Sequence, residues 1–289
     1  MKILITGSKG FLGSFLKDKL KKNNQIIEYD FPKDICNFIK VNNFIKKRKP
    51  NIIIHAAAAK GAQISNKYPK KFIDVNGVGT LNLLESMRLN KITMVVYISS
   101  SGFYLRSKKI VHEDSKLHYN NPYSFGKAIG EKIVKFYSEK YNIKSLSLRP
   151  NLISGFGLRQ DNLIYDIISE IKKNNTATVF GKGEHVREFI HPLDICSAIE
   201  KWIKIKKKHN YKIYNITCNR YSVVTVVKKI ISYLKIGKIV YKHNKNKVFS
   251  LRLSSFKIKN EMKWKSNYNL DYIIKDNYEM FKKSNYYRS

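Results

Sequence analysis

The chain has 289 residues, 43% hydrophobic and 27% charged, which suits a globular fold with a sizeable core and excludes a disordered polyelectrolyte. Its 56 lysines and arginines against 21 acids leave a formal charge of +35, yet the excess is lysine spread through every segment, beside abundant Asn, Ile and Tyr that share A/T-rich codons. No arginine-rich arm, nucleic-acid-binding motif or bilayer-long apolar run is present, so neither a nucleic-acid nor a membrane partner is expected.

The first half alternates regularly. Residues 2–6 (KILIT) read as a buried strand, followed by a glycine-rich turn and an amphipathic helix to about Lys22. A second strand is expected at 25–30 (QIIEYD), a helix from Cys36 to Arg48 and a third strand at 51–57 (NIIIHAA). A long helical pattern covers 68–90, a fourth strand 92–100 (ITMVVYISS), a helix Pro122 to Glu139 and a fifth strand 144–150 (KSLSLRP). Short apolar strands separated by helices predict an α/β fold, a doubly wound parallel sheet covered on both faces.

The second half is less regular. Helices are expected at 192–206, 221–234 and 269–283, and a strand at 211–216 (YKIYNI). The division expected is a dinucleotide-binding domain over 1–150 and a smaller, mainly substrate-binding lobe over 151–289, with segments around 192–218 returning to the sheet. The N-terminus moves directly into a strand rather than a leader, and Cys36, Cys196 and Cys218 are too scattered for a disulfide framework or a zinc site. A cytoplasmic protein without a metal is the expectation.

Two motifs carry chemistry. TGSKGFLG places Gly7, Gly10 and Gly13 between strand and helix, where they allow a tight turn, a close approach of backbone to a pyrophosphate and close helix packing. The next strand ends in Asp30, an acid able to bind both ribose hydroxyls of NAD and to repel the 2′-phosphate of NADP. NPYSFGKAIGE puts Tyr123 and Lys127 four residues apart on one helix face, just after a strand that ends in Ser99, Ser100 and Ser101. The carboxyl ends of the strands are where an open α/β sheet binds ligands.

With these landmarks the chain resembles the extended short-chain dehydrogenase/reductase family, the NAD-dependent nucleotide-sugar epimerases, dehydratases and reductases. HAAA (55–58), NGVGTLNLLE (76–85), YSFGK (123–127), LRP (148–150), VREFIHPLDICSAI (186–199) and YNIT (214–217) match its successive motifs. The resemblance implies a Rossmann-type sheet with a smaller C-terminal substrate-binding lobe. It implies NAD, with NADP the lesser alternative, at Gly7, Gly10, Phe11, Leu12, Gly13, Asp30, Asp34, Ile35, Ala56, Ala57, Asn76, Ser99, Tyr123, Lys127 and Pro150. Tyr123 would exchange a proton with a sugar hydroxyl, Lys127 would bind the ribose and favour the phenolate, and Ser100 would hold the reacting oxygen, with Ser101 the other candidate. Ser100, Ser101, Asn151 and Arg187 would contact a nucleotide-diphosphate sugar, Arg187 at the diphosphate. A homodimer through helices 68–90 and 122–139 is also implied.

Departures from the family pattern narrow the reaction. The dehydratases carry an Asp-Glu pair after the position of Ser100, where this chain has Ser101 and Gly102. The GDP-fucose synthase branch, which residues 56–76 resemble, has a cysteine at Gly102. Asn151 stands one residue early, with Leu152 in the usual asparagine position. A 4-epimerase is the leading expectation, a 4-keto-sugar reductase the second, and a cofactor-binding regulator without turnover the reading of another class.

Overall fold

The structure is a computed structural model that describes residues 1–30, 32–105, 109–158, 162–205, 210–243 and 250–286. Its first half is built from β1 (Lys2–Thr6), α1 (Phe11–Leu20), β2 (Gln25–Tyr29), α2 (Phe38–Arg48) and β3 (Ile52–His55). Next come α3 (Ala62–Lys67), α4 (Pro69–Ile73), α5 (Gly79–Leu89), β4 (Met94–Ile98), β5 (Ile110–Val111), α6 (Pro122–Tyr141) and β6 (Lys144–Pro150). The second half holds β7 (Leu152–Ile153), α7 (Leu163–Asn174), β8 (Thr176–Phe180), β9 (Val186–Ile190), α8 (Pro192–Lys204), β10 (Tyr211–Ile216) and β11 (Asn219–Ser222). It ends with α9 (Val223–Leu234), β12 (Lys238–Lys242), β13 (Arg252–Leu253), α10 (Phe256–Met262) and α11 (Leu270–Tyr286).

Six parallel strands form the central sheet in the order β10-β6-β4-β3-β1-β2. The chain runs outward from β1 to β2 and then crosses back to β3, so the order reverses beside β1. At such a reversal the crossover helices leave on opposite faces and a crevice opens at the carboxyl ends of the strands. One face packs Leu12 and Leu16 of α1 with Ile195, Ile199 and Trp202 of α8 against Ile3, Ile5, Ile52 and Ile54. The other packs Val41 and Ile45 of α2, Leu83 and Leu84 of α5 and Val134 of α6 against Leu4, Ile53 and Val95. Both faces are covered, which is why the strands read as unbroken apolar runs rather than alternating ones.

The expected 68–90 helix is broken. Asp74–Val78 forms a π-helical turn between α4 and α5, and α6 presses on it through glycines. A Cβ at Gly126 would stand 2.7 Å from Phe72 O, and one at Gly130 would stand 2.6 Å from Asn76 O. The widened turn places Asn76 so that it grips the loop after β3, accepting from Ala59 N at 2.9 Å and donating to Ala59 O at 3.1 Å. Residue 206, the expected end of the helix here called α8, lies outside the described residues, and so do 207–209.

Behind the sheet's carboxyl edge, β7, β9 and β11 make a three-stranded sheet and β8 pairs in parallel with β12. α7, α9 and α11 close a separate core there around Ile168, Val179, Phe189, Val227 and Ile274.

Candidate active site

The glycine turn after β1 is tight enough to exclude side chains. Gly7 has φ +74°, and a Cβ on it would lie 2.7 Å from Ala57 Cα and N. A Cβ on Gly13 would stand 1.9 Å from Gly7 O, and one on Gly10 3.1 Å from the same oxygen. The first turn of α1 therefore lies directly on the β1 loop. No side chain caps that helix start and no acid occupies its first turn, so its amide groups are available to an anion. Phe11 and Leu12 open the helix, Leu12 buried in the core. This cradle, which any side chain would fill, fits the pyrophosphate of a dinucleotide.

The remaining residues expected around that cofactor lie along the same edge. Asp30, just past β2, accepts from Lys9 N at 3.1 Å and from the Ser8 hydroxyl. The Asp34 side chain accepts from Cys36 N at 2.8 Å, and Ile35 is buried where a Cβ on Gly79 would meet it at 2.7 Å. Ala56 N donates to Thr6 O and Ala57 N to Thr6 Oγ1 at 3.2 Å, tying the end of β3 to β1. Beneath them His55 is fully buried between Thr6 Oγ1 at 2.7 Å and Thr80 Oγ1 at 3.1 Å. Burial, with Lys127 assisting, pushes its pKa down to about 3, so it is a neutral structural histidine at physiological pH.

Tyr123 and Lys127 are positioned by how α6 begins. Asn121 Oδ1 accepts from Ser124 N at 2.8 Å while Ser124 Oγ accepts from Asn121 N at 3.4 Å, a reciprocal cap with Pro122 at the first helical position. This fixes the first turn, leaving half-buried Tyr123 edge-on to Phe72 and beside Ser100. One turn on, Lys127 is buried with its Nζ donating to Ile98 O and lying 4.5 Å from the centre of the Tyr97 ring. Burial lowers the Lys127 pKa to about 7, opposed by Glu131; burial raises that of Tyr123, opposed by the Ser100 hydroxyl. A lysine one turn beyond a tyrosine that borders a serine is an arrangement suited to proton transfer.

The three consecutive serines go to three different partners. Ser99 donates to Glu131 Oε2 at 2.7 Å. Ser100, whose oxygen also accepts from Gly102 N at 3.0 Å, meets Tyr123. Ser101 donates to Asn151 Oδ1 at 3.4 Å, and its amide donates to Pro150 O at 3.1 Å. A Cβ on Gly102 would stand 3.1 Å from Ser100 Oγ and 3.7 Å from Tyr123 Cε1, so a side chain there would border both. Asn151 also donates to Glu188 Oε2 at 3.3 Å, and Arg220 Nε donates to Glu188 Oε1 at 2.5 Å. Half-buried Arg187 lies on β9 opposite Tyr221. Its Nη1 donates to Val186 O at 3.2 Å.

Three residues that contribute here were not singled out by the sequence reading. Glu131 lies one turn beyond Lys127 on the same helix face and pairs with Arg149 in the interior. Ser8 and Glu28 join Asp30 in one hydrogen-bonded group. Two of them had a signal: Glu131 through its i+4 spacing from Lys127, and Glu28 as the one charge within β2. Among the described residues no helix is long and apolar enough to cross a membrane, and no three His, Cys, Asp or Glu side chains group as metal ligands.

Residues 3–217 match the family model described as the NAD dependent epimerase/dehydratase family. A putative UDP-glucose 4-epimerase of Methanocaldococcus jannaschii is 29% identical over 219 residues, 68% of this chain and 71% of that protein. A GDP-6-deoxy-D-talose 4-dehydrogenase of Aggregatibacter actinomycetemcomitans is 31% identical over 210 residues, 70% of each chain. In fold, the UDP-glucose 4-epimerase of Thermotoga maritima, solved with UDP-glucose, superposes with a TM-score of 0.85 at 24% identity, over 98% of this chain and 99% of that one.

Proposed function

The chain belongs to the NAD-dependent epimerase/dehydratase family, and we propose that it is a 4-epimerase of nucleotide-diphosphate sugars. The observation that carries this reading is the Ser100–Tyr123 contact at the carboxyl edge of β4, with Lys127 behind it and Gly102 bare beside it. Ser100 Oγ would hold the C4 oxygen against Tyr123, and Tyr123, as the phenolate, would take that hydroxyl's proton and later return it. Lys127, titrating near neutrality, would stabilise the phenolate when its Nζ turns from Ile98 O. NAD, held at the glycine turn with Asp30 at its ribose, would supply the hydride acceptor and donor at C4. With Ser101 and Gly102 after Ser100, no acid–base pair stands where the family's dehydratases keep theirs. Arg187 would meet the diphosphate, and Ser101 and Asn151 the sugar.

A second reading has its own support: a reductase of 4-keto-sugar nucleotides, favoured by the resemblance of 56–76 to the GDP-fucose synthase branch and by the 4-dehydrogenase relative. We also infer a cytoplasmic homodimer through α5 and α6, whose outward faces leave Leu81 40%, Leu89 48% and Phe136 56% exposed.

Denaturing freshly purified protein and identifying the released nucleotide by mass spectrometry separates the two readings. Near-stoichiometric NAD, followed by interconversion of UDP-glucose and UDP-galactose or their uronic counterparts, supports the epimerase. Consumption of NADH or NADPH only with a 4-keto-sugar nucleotide supports the reductase. Full turnover by Tyr123→Phe refutes both.

A further inference from the structure

One charged side chain interrupts the second strand. Glu28 stands two residues before Asp30 in QIIEYD and so points to the same face of the strand. Ser8, fully buried in the glycine turn, lies between them: its Oγ is 2.5 Å from Glu28 Oε2 and also within hydrogen-bond reach of Asp30 Oδ2. A hydroxyl carries one proton and can donate to only one of the two carboxylates at a time. The Lys9 amide satisfies Asp30 Oδ1 at 3.1 Å, and half-exposed Glu28 keeps Lys17 at 3.4 Å. Two carboxylates thus meet within two hydrogen-bond lengths of each other, and the group is one donor short of closing. The Ser8 hydrogen bond, aided by Lys17, holds Glu28 below the usual carboxylate range against the opposing effect of burial, so Glu28 is ionised at neutral pH.

We propose that Glu28 is a second determinant of cofactor choice, acting with Asp30 through Ser8 to select a dinucleotide whose ribose 2′-hydroxyl is free. A 2′-hydroxyl brings the donor that Ser8 cannot supply to both acids. A 2′-phosphate brings negative charge to a site that already holds two negative groups. The alternative, in which Asp30 alone discriminates, predicts that its neutralisation removes the preference. The shared serine predicts that much of it survives, because Glu28 remains. The inference rests on the family's NAD site and not on the C4 reaction proposed above, so either can fail alone.

The test is calorimetric titration of NAD and of NADP into the full-length protein stripped of nucleotide, for wild type, Asp30→Asn, Glu28→Gln and the double variant. Glu28→Gln is expected to tighten NADP about tenfold while NAD stays within about threefold, and the double variant to exceed Asp30→Asn by a further factor of about ten. Unchanged NADP affinity in Glu28→Gln, or a double variant no better than Asp30→Asn, overturns the proposal. Equal affinity of the wild type for both dinucleotides overturns it too, and binding of neither removes the cofactor site on which it stands. Glu28→Thr, compatible with a half-exposed strand position, repeats the comparison should the glutamine variant fold poorly.

Discussion

Replacing Glu131 by glutamine tests the buried ion pair behind the proposed reaction centre. Glu131 and Arg149 are only 5% and 4% exposed. The guanidinium grips the carboxylate through Nε at 2.9 Å and Nη2 at 2.5 Å, and Ser99 donates to the same carboxylate at 2.7 Å. The other guanidinium nitrogen goes to Glu113 O at 2.9 Å and to the Tyr104 hydroxyl, both neutral acceptors. Removing one partner of a buried pair leaves the other charge uncompensated, at a cost of about 3–5 kcal/mol. Glutamine keeps one acceptor, so Glu131→Gln is expected at the lower end, about 3 kcal/mol by urea denaturation. Arg149→Met is expected to cost about as much, while the double variant, with no orphaned charge, falls short of the sum by roughly 2 kcal/mol. Ser99 sits between Ile98, whose carbonyl receives Lys127, and Ser100, so turnover is expected to fall in Glu131→Gln as well. A cost below about 1 kcal/mol for Glu131→Gln, or strict additivity in the double variant, would show that the two charges do not depend on each other in the interior.

Gly13→Ala would drive a methyl group to within 1.9 Å of Gly7 O, so loss of NAD binding by calorimetry is expected. If this variant binds NAD like wild type, the helix does not press on the turn as described. Lys127→Met is expected to abolish turnover yet stabilise the protein at neutral pH. The folded pKa of about 7 lies below the ordinary lysine value of 10.5. Between those values the unfolded chain therefore holds a proton that the folded state lacks, and wild-type stability rises with pH across that window by up to about 1.4 kcal/mol per unit. Denaturation of both proteins at several pH values should show that slope in wild type and not in Lys127→Met; parallel curves would contradict it. Phe136→Glu, at an exposed apolar position of α6, should convert the inferred dimer to monomer by light scattering. An unaltered dimer would place the interface elsewhere.

Much of the architecture was legible because it rests on local periodicity. The strands at 144–150 and 211–216 have the bounds expected of them, and α6 begins where Pro122 follows its capping asparagine. The long 68–90 pattern misled because apolar spacing reports which face is buried and not whether the backbone keeps its pitch. The π-helical turn lies against α6, whose closely packed glycines are far along the chain. The small sheets β7-β9-β11 and β8-β12 were also unforeseen. Their strands are short, and pairing of that kind is decided by partners rather than by a segment's own pattern.

The site divides in the same way. The glycine turn, the acid at Asp30 and the one-turn spacing of Tyr123 and Lys127 could be read along the chain, since each depends on a few adjacent residues and the fixed geometry of turn and helix. The separate partners of the three adjacent serines follow instead from how the sheet and α6 pack. Ser99 turns inward to Glu131, Ser100 reaches Tyr123 and Ser101 reaches Asn151. The tertiary structure likewise brought Glu28 and Asp30 to one hydroxyl of Ser8, because strands β1 and β2 pair side by side. Contacts between residues distant in sequence exist only once the sheet has set its register, so no local pattern announces them.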